Sequence, residues 1–84
     1  MQRIIIDVRE PSEFANGHVE GAVNIPLSEI MQNGLPDSIT KDHDIILYCN
    51  SGNRSGVAER YLKSKGCSSV VNGINQRIVE AKYE

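Results

Sequence analysis

Short runs of aliphatic residues alternate along the chain with polar stretches, and that alternation predicts the elements. Ile4-Ile5-Ile6 is β-branched throughout and stops at Asp7, which predicts a buried strand. Pro11 to Gly17 has proline at a first helical position and glycine as terminator, so a short helix fits. Gly21 to Pro26 reads as a second strand closed by proline, and Ser28 is expected to cap a helix ending at Asn33-Gly34. Asp37 to Asp44 is a polar connection, and Ile45-Ile46-Leu47-Tyr48 is the candidate central strand. From Ser55 to Lys65, Val57, Ala58, Tyr61 and Leu62 recur at helical spacing, with Glu59, Arg60 and Lys63 outward and Gly66 as stop. Ser69-Val70-Val71 predicts a last strand, and Ile74 to Tyr83 a last helix. Strands alternating with helices predict the α/β class, with a small, mostly parallel sheet of four to five strands covered by helices on both faces.

Composition narrows the picture. The 84 residues suit one domain, because two halves would each be too small to bury a core. Hydrophobic residues are 39% and charged residues 24%, a balance that excludes a disordered chain. A net charge of -2 without a basic block argues against nucleic acid, and three tyrosines, one phenylalanine and no tryptophan argue against a base-stacking platform. The apolar runs are too short to span a bilayer, so no membrane partner is expected, and a monomer is expected. Met1-Gln2-Arg3 runs straight into the first strand with no visible leader. A cytoplasmic location is expected for the chain as written, and a periplasmic one if an export leader precedes it.

The two cysteines, Cys49 and Cys67, are too few for a disulfide scaffold and form no Cys-x-x-Cys pair. With His18 and His43 they could supply four zinc ligands, but none has the usual paired spacing, so no metal is expected. Cys67 reads as a small, half-buried packing residue.

Cys49 is different, because Cys49-Asn50-Ser51-Gly52-Asn53-Arg54-Ser55-Gly56 joins the best strand to the best helix. A strand turning abruptly into a helix points several free N–H groups into one concavity, and the helix dipole there favours thiolate over thiol. Gly52 and Gly56 are expected to supply positive φ angles, and Arg54 a planar cationic fork for an oxyanion. The expected result is an anion cradle around a sulfur that is mostly thiolate at neutral pH.

Three motifs carry a family resemblance. Ile6 to Phe14 and Gly17 to Pro26 resemble the two amino-terminal signatures of rhodanese domains, and Tyr48 to Ser55 resembles their active-site loop. The resemblance covers about residues 4 to 73, in the order the family shows them, and the short chain is similar to its single-domain bacterial type. It implies a rhodanese-like fold and a thiosulfate sulfurtransferase that carries sulfur as a Cys49 persulfide, with no metal or organic cofactor. It further implies that the amides of Asn50, Ser51, Gly52, Asn53 and Arg54 stabilise the outer sulfur, that Ser55 completes the loop, and that Arg54 orients an anionic donor such as thiosulfate. The acceptor would be a thiol, cyanide or a protein. Asp7, Arg9, Gly17, His18 and Gly21 match the first two signatures and are expected to brace the scaffold. Where the family often has a double glycine and a nearby tryptophan, this chain has Asn72-Gly73-Ile74-Asn75 and no tryptophan.

Two other classes compete. A cysteine phosphatase or arsenate reductase uses a similar loop, but the phosphatase pattern sets five residues between Cys and Arg, and only four stand here. No aspartate lies in the loop as a general acid. A non-catalytic binding module of the same fold would lack the cysteine, which is present.

Overall fold

A computed structural model describes residues 2–84. The elements follow as β1 (Arg3–Asp7), α1 (Pro11–Ala15), β2 (Val23–Asn24), α2 (Leu27–Asn33), β3 (Asp44–Cys49), α3 (Asn53–Ser64), β4 (Val70–Asn75) and α4 (Gln76–Tyr83). The four strands form one sheet in the order β2-β1-β3-β4, every pair parallel, so the run Ile45 to Tyr48 does lie in the middle.

Alternate side chains along β1 and β3 point to opposite faces, as strand geometry requires. Ile6, Ile45, Leu47 and Cys49 pack with Ile30 of α2 and with Ala58 and Leu62 of α3. Ile5, Ile46 and Tyr48 pack on the other face with Val79 of α4. Both faces are therefore covered, which is why the strands read as continuous apolar runs. Fully burying each of these isoleucines contributes roughly 1.5–3 kcal/mol.

Four local expectations need correction. Strand β2 spans only Val23–Asn24. Gly21, at φ +84, belongs to the turn in which the Ala22 amide donates to the Val19 carbonyl, and Pro26 already opens α2. Ser28 does not cap α2: the cap is Pro26, whose carbonyl accepts from the amides of Glu29 and Ile30. Gly56 takes no positive φ; it lies inside α3, and a Cβ there would meet Asn72 Nδ2 at 3.4 Å. Strand β4 runs past Val71 to Asn75, whose side chain caps α4 by accepting from the Ile78 amide at 2.9 Å.

Strand β4 continues through a bulge, because the register passes from Leu47↔Asn72 to Tyr48↔Ile74 and leaves Gly73 extra. Only glycine fits there: a Cβ would meet Val79 Cγ2 at 2.6 Å and the Leu47 carbonyl at 3.1 Å. The bulge sends Ile74 to φ +76, an uncommon conformation for a β-branched residue, and aims it at the turn around Gly52. Among the described residues no helix is long and apolar enough to cross a membrane.

Candidate active site

The carboxyl ends of β1, β3 and β4 bring Asp7, Cys49 and the Asn72–Asn75 bulge to one edge of the sheet. That is where an open parallel sheet collects ligands. Cys49 is the last residue of β3, and α3 starts four residues later, with Gly52 in a left-handed conformation at φ +92 making the turn. The Gly52 amide donates to Cys49 Sγ at 3.1 Å, and Ser55 Oγ lies 3.4 Å from it.

Burial raises the pKa of this thiol, but hydrogen bonds from the Ser55 hydroxyl and from the Ser55, Gly52 and Ser51 amides outweigh it. The pKa falls to about 7. A substantial share of Cys49 is therefore thiolate at neutral pH. The residue is only 1% exposed, so a reagent reaches the sulfur only as the loop admits it.

The other loop residues divide by role. The Asn53 amide turns to Ser51 Oγ at 3.4 Å, inside the loop. Asn50 points away from the sulfur: its Nδ2 donates to Glu13 Oε2 at 2.9 Å, and its Oδ1 faces Arg9 Nη1 at 3.5 Å. Arg54 is engaged as well, its Nη1 meeting Glu13 Oε1 at 2.7 Å and its Nη2 meeting Oε2 at 3.1 Å. The fork expected to receive a donor thus holds a carboxylate of the protein. Arg54 also lies near enough to Cys49 to raise its own pKa, after the larger effect of Glu13.

Two residues were missed in the sequence. Glu13 reaches the loop from α1, 41 residues from Arg54, and no local pattern signals that contact. Asn72, on β4, ties three groups together: its Nδ2 donates to the Gly52 carbonyl at 3.0 Å, and its Oδ1 accepts from Ser55 Oγ at 2.6 Å and from the Ile74 amide at 3.0 Å.

The signature residues brace the edge. Asp7 is fully buried and accepts from the Arg9 amide and from Arg9 Nε and Nη2 at 2.7–3.0 Å. Arg9 Nη2 also donates to the Gly17 carbonyl at 2.8 Å, which pins the loop after α1. His18 stacks on Phe14, ring centroids 3.6 Å apart, with Nδ1 at 2.8 Å from the Phe14 carbonyl.

Cys67 is half-buried against the α2–α3 side of the core, ahead of β4 and so toward the opposite end of the sheet. A cavity of about 530 Å³ is lined there by residues including Leu35, Ile39, Tyr61 and Cys67, away from the Cys49 loop. Among the described residues no group of three or more His, Cys, Asp or Glu side chains could hold a metal ion.

The rhodanese-like domain family matches residues 1–76. The chain belongs to that family. It is 46% identical over 68 residues to Bacillus subtilis YqhL, an alignment covering 81% of this chain and 52% of the relative. It is 40% identical over 70 residues to the Escherichia coli thiosulfate sulfurtransferase PspE, covering 80% and 64%. Among solved structures, an E. coli rhodanese with anions superposes with a TM-score of 0.74 at 35% identity, covering 90% of this chain and 89% of that one. The chain spans between about a third and two thirds of the length of these and other curated relatives. The fold is the rhodanese-like α/β fold with a four-stranded parallel sheet.

Proposed function

We propose that this domain is a sulfurtransferase working through a persulfide on Cys49, with thiosulfate or a similar sulfane-sulfur compound as donor. The observation that carries the reading is the sulfur's setting at the turn from β3 into α3, with the Gly52 amide at 3.1 Å, the Ser55 hydroxyl at 3.4 Å and a pKa of about 7. In the first half-reaction the thiolate attacks the outer sulfur of thiosulfate. The S–S bond of thiosulfate breaks, sulfite leaves with the electron pair, and Cys49 becomes a persulfide. In the second, a thiolate, cyanide or protein acceptor attacks the outer sulfur, and the electron pair returns to Cys49. The loop amides are fixed before either step, so they stabilise the outer sulfur's charge without reorganising.

Phosphatase chemistry fits this site less well. A phosphate ester needs a proton donor for its leaving group, and the acid nearest the loop is Glu13. The Arg54 hydrogen bonds and then the Glu10 amide hold Glu13 at a pKa of about 2, so it is ionised at neutral pH. PspE's description as a thiosulfate sulfurtransferase supports the sulfur reading. A thiosulfate–cyanide assay beside hydrolysis of an aryl phosphate tests it. Thiocyanate formation lost in Cys49→Ser is expected; phosphate release without thiocyanate would overturn the reading, and neither activity with any donor would favour a binding module.

A further inference from the structure

The charges around the Cys49 loop cancel in pairs. Glu13 takes four hydrogen bonds, from the Glu10 amide at 3.0 Å, Asn50 Nδ2 at 2.9 Å, and Arg54 Nη1 and Nη2 at 2.7 and 3.1 Å. Its partners Asn50 and Arg54 are the first and fifth residues after Cys49, so the carboxylate bridges the loop from end to end. Arg9 offers no spare charge, because its fork is taken up by Asp7 and the Gly17 carbonyl. An incoming anion therefore meets each of these guanidinium groups already matched by a carboxylate. We propose that Glu13 is a specificity-determining residue of the Cys49 site, one that disfavours doubly charged reagents relative to those carrying a single charge or none. The inference rests on the sulfurtransferase reading only where it concerns sulfur donors; thiosulfate, a dianion, is then a poorer donor than an otherwise similar monoanion.

Glutamine at position 13 keeps the side chain's length and an oxygen for the Glu10 amide while removing the charge, so Glu13→Gln is the informative variant. Both proteins are compared in a Cys67→Ser background, leaving Cys49 as the only thiol. The first measurement does not need sulfur transfer: the rate of alkylation by anionic iodoacetate is divided by that by neutral iodoacetamide. Each reagent forms a carbon–sulfur bond to Cys49 and expels iodide. One half-exposed charge removed near the entrance should raise that ratio about threefold. The second measurement is kcat/KM for thiosulfate and for the monoanion methanethiosulfonate, whose attack by Cys49 expels methanesulfinate.

Electrostatic selection scales with reagent charge, so the expected gain is about ninefold for thiosulfate and about threefold for methanethiosulfonate, carried by KM. An unchanged alkylation ratio, or equal changes for the two donors, would overturn the proposal and leave Glu13 as a brace. A raised ratio with no sulfur transfer from any donor in either protein would uphold the charge selection and refute the sulfurtransferase reading.

Discussion

Asn72 offers a measurable handle on the reactive sulfur. The Ser55 hydroxyl has one proton to share between Asn72 Oδ1, at 2.6 Å, and Cys49 Sγ, at 3.4 Å, so the shorter contact to the amide weakens its hold on the sulfur. In Asn72→Ala that proton is free to turn to the sulfur, where a hydrogen bond to a thiolate is of the charge-assisted, stronger kind. A gain of about 1.4 kcal/mol for the charged form lowers a pKa by one unit. The Cys49 pKa, about 7 in the wild type, should therefore fall, by at most about one unit. The same substitution removes the bonds to the Gly52 carbonyl and the Ile74 amide, so the fold should lose about 2 kcal/mol and roughly 8–16 °C of Tm.

The assay is thiolate absorbance near 240 nm against pH in a Cys67→Ser background, with iodoacetamide rates as a second readout. Ser55→Ala should do the opposite and raise the pKa, and adding Asn72→Ala to it should then change little. A Cys49 pKa in Asn72→Ala that stays put or rises would show that Asn72 does not compete for the Ser55 proton.

Other expectations follow from the same contacts. Thiosulfate kcat/KM should rise about tenfold per pH unit below 7 and level off above it, tracking the Cys49 thiolate; a profile flat from pH 5.5 to 8 would contradict this. Because the folded-state pKa lies below the ordinary value of 9.0, the thiolate's contribution to stability is complete above about pH 9 and vanishes as pH falls through 7. The stability gap between wild type and Cys49→Ser, from urea melts, should widen by about 3 kcal/mol over that window. Asp7→Asn breaks a buried pair and should cost about 3–5 kcal/mol, a large share of a domain this size; a Tm drop under 5 °C would refute the bracing role. Gly73→Ala drives a methyl into Val79 and the Leu47 carbonyl, so a loss of about 1–3 kcal/mol is expected, and an unchanged Tm would show that the bulge adapts freely.

Much of the fold was legible because it depends on local pattern. The runs at Ile4 and Ile45 had to be strands buried on both faces, and Val57, Ala58, Tyr61 and Leu62 could only be one side of a helix. The Cys49 loop was legible for a similar reason, since a cysteine, glycines and an arginine fell within a few residues of a strand–helix junction. What escaped was set by tertiary contact. The bulge at Gly73 lies where α4 and β3 crowd the backbone, and nothing in Asn72-Gly73-Ile74-Asn75 announces it. The engagement of Arg54 is set by Glu13, which is distant in the chain, and Asn72 gains its role only when β4 lies beside the loop.

Intact-protein mass spectrometry tests most directly whether sulfur is held on Cys49. Reduced protein incubated with thiosulfate or methanethiosulfonate should gain about 32 Da, one sulfur, which dithiothreitol removes. Peptide mapping should place that mass on the peptide containing Cys49; Cys67→Ser should acquire it normally and Cys49→Ser not at all. No mass gain with any donor, or a sulfur mapped to Cys67, would contradict persulfide chemistry at Cys49.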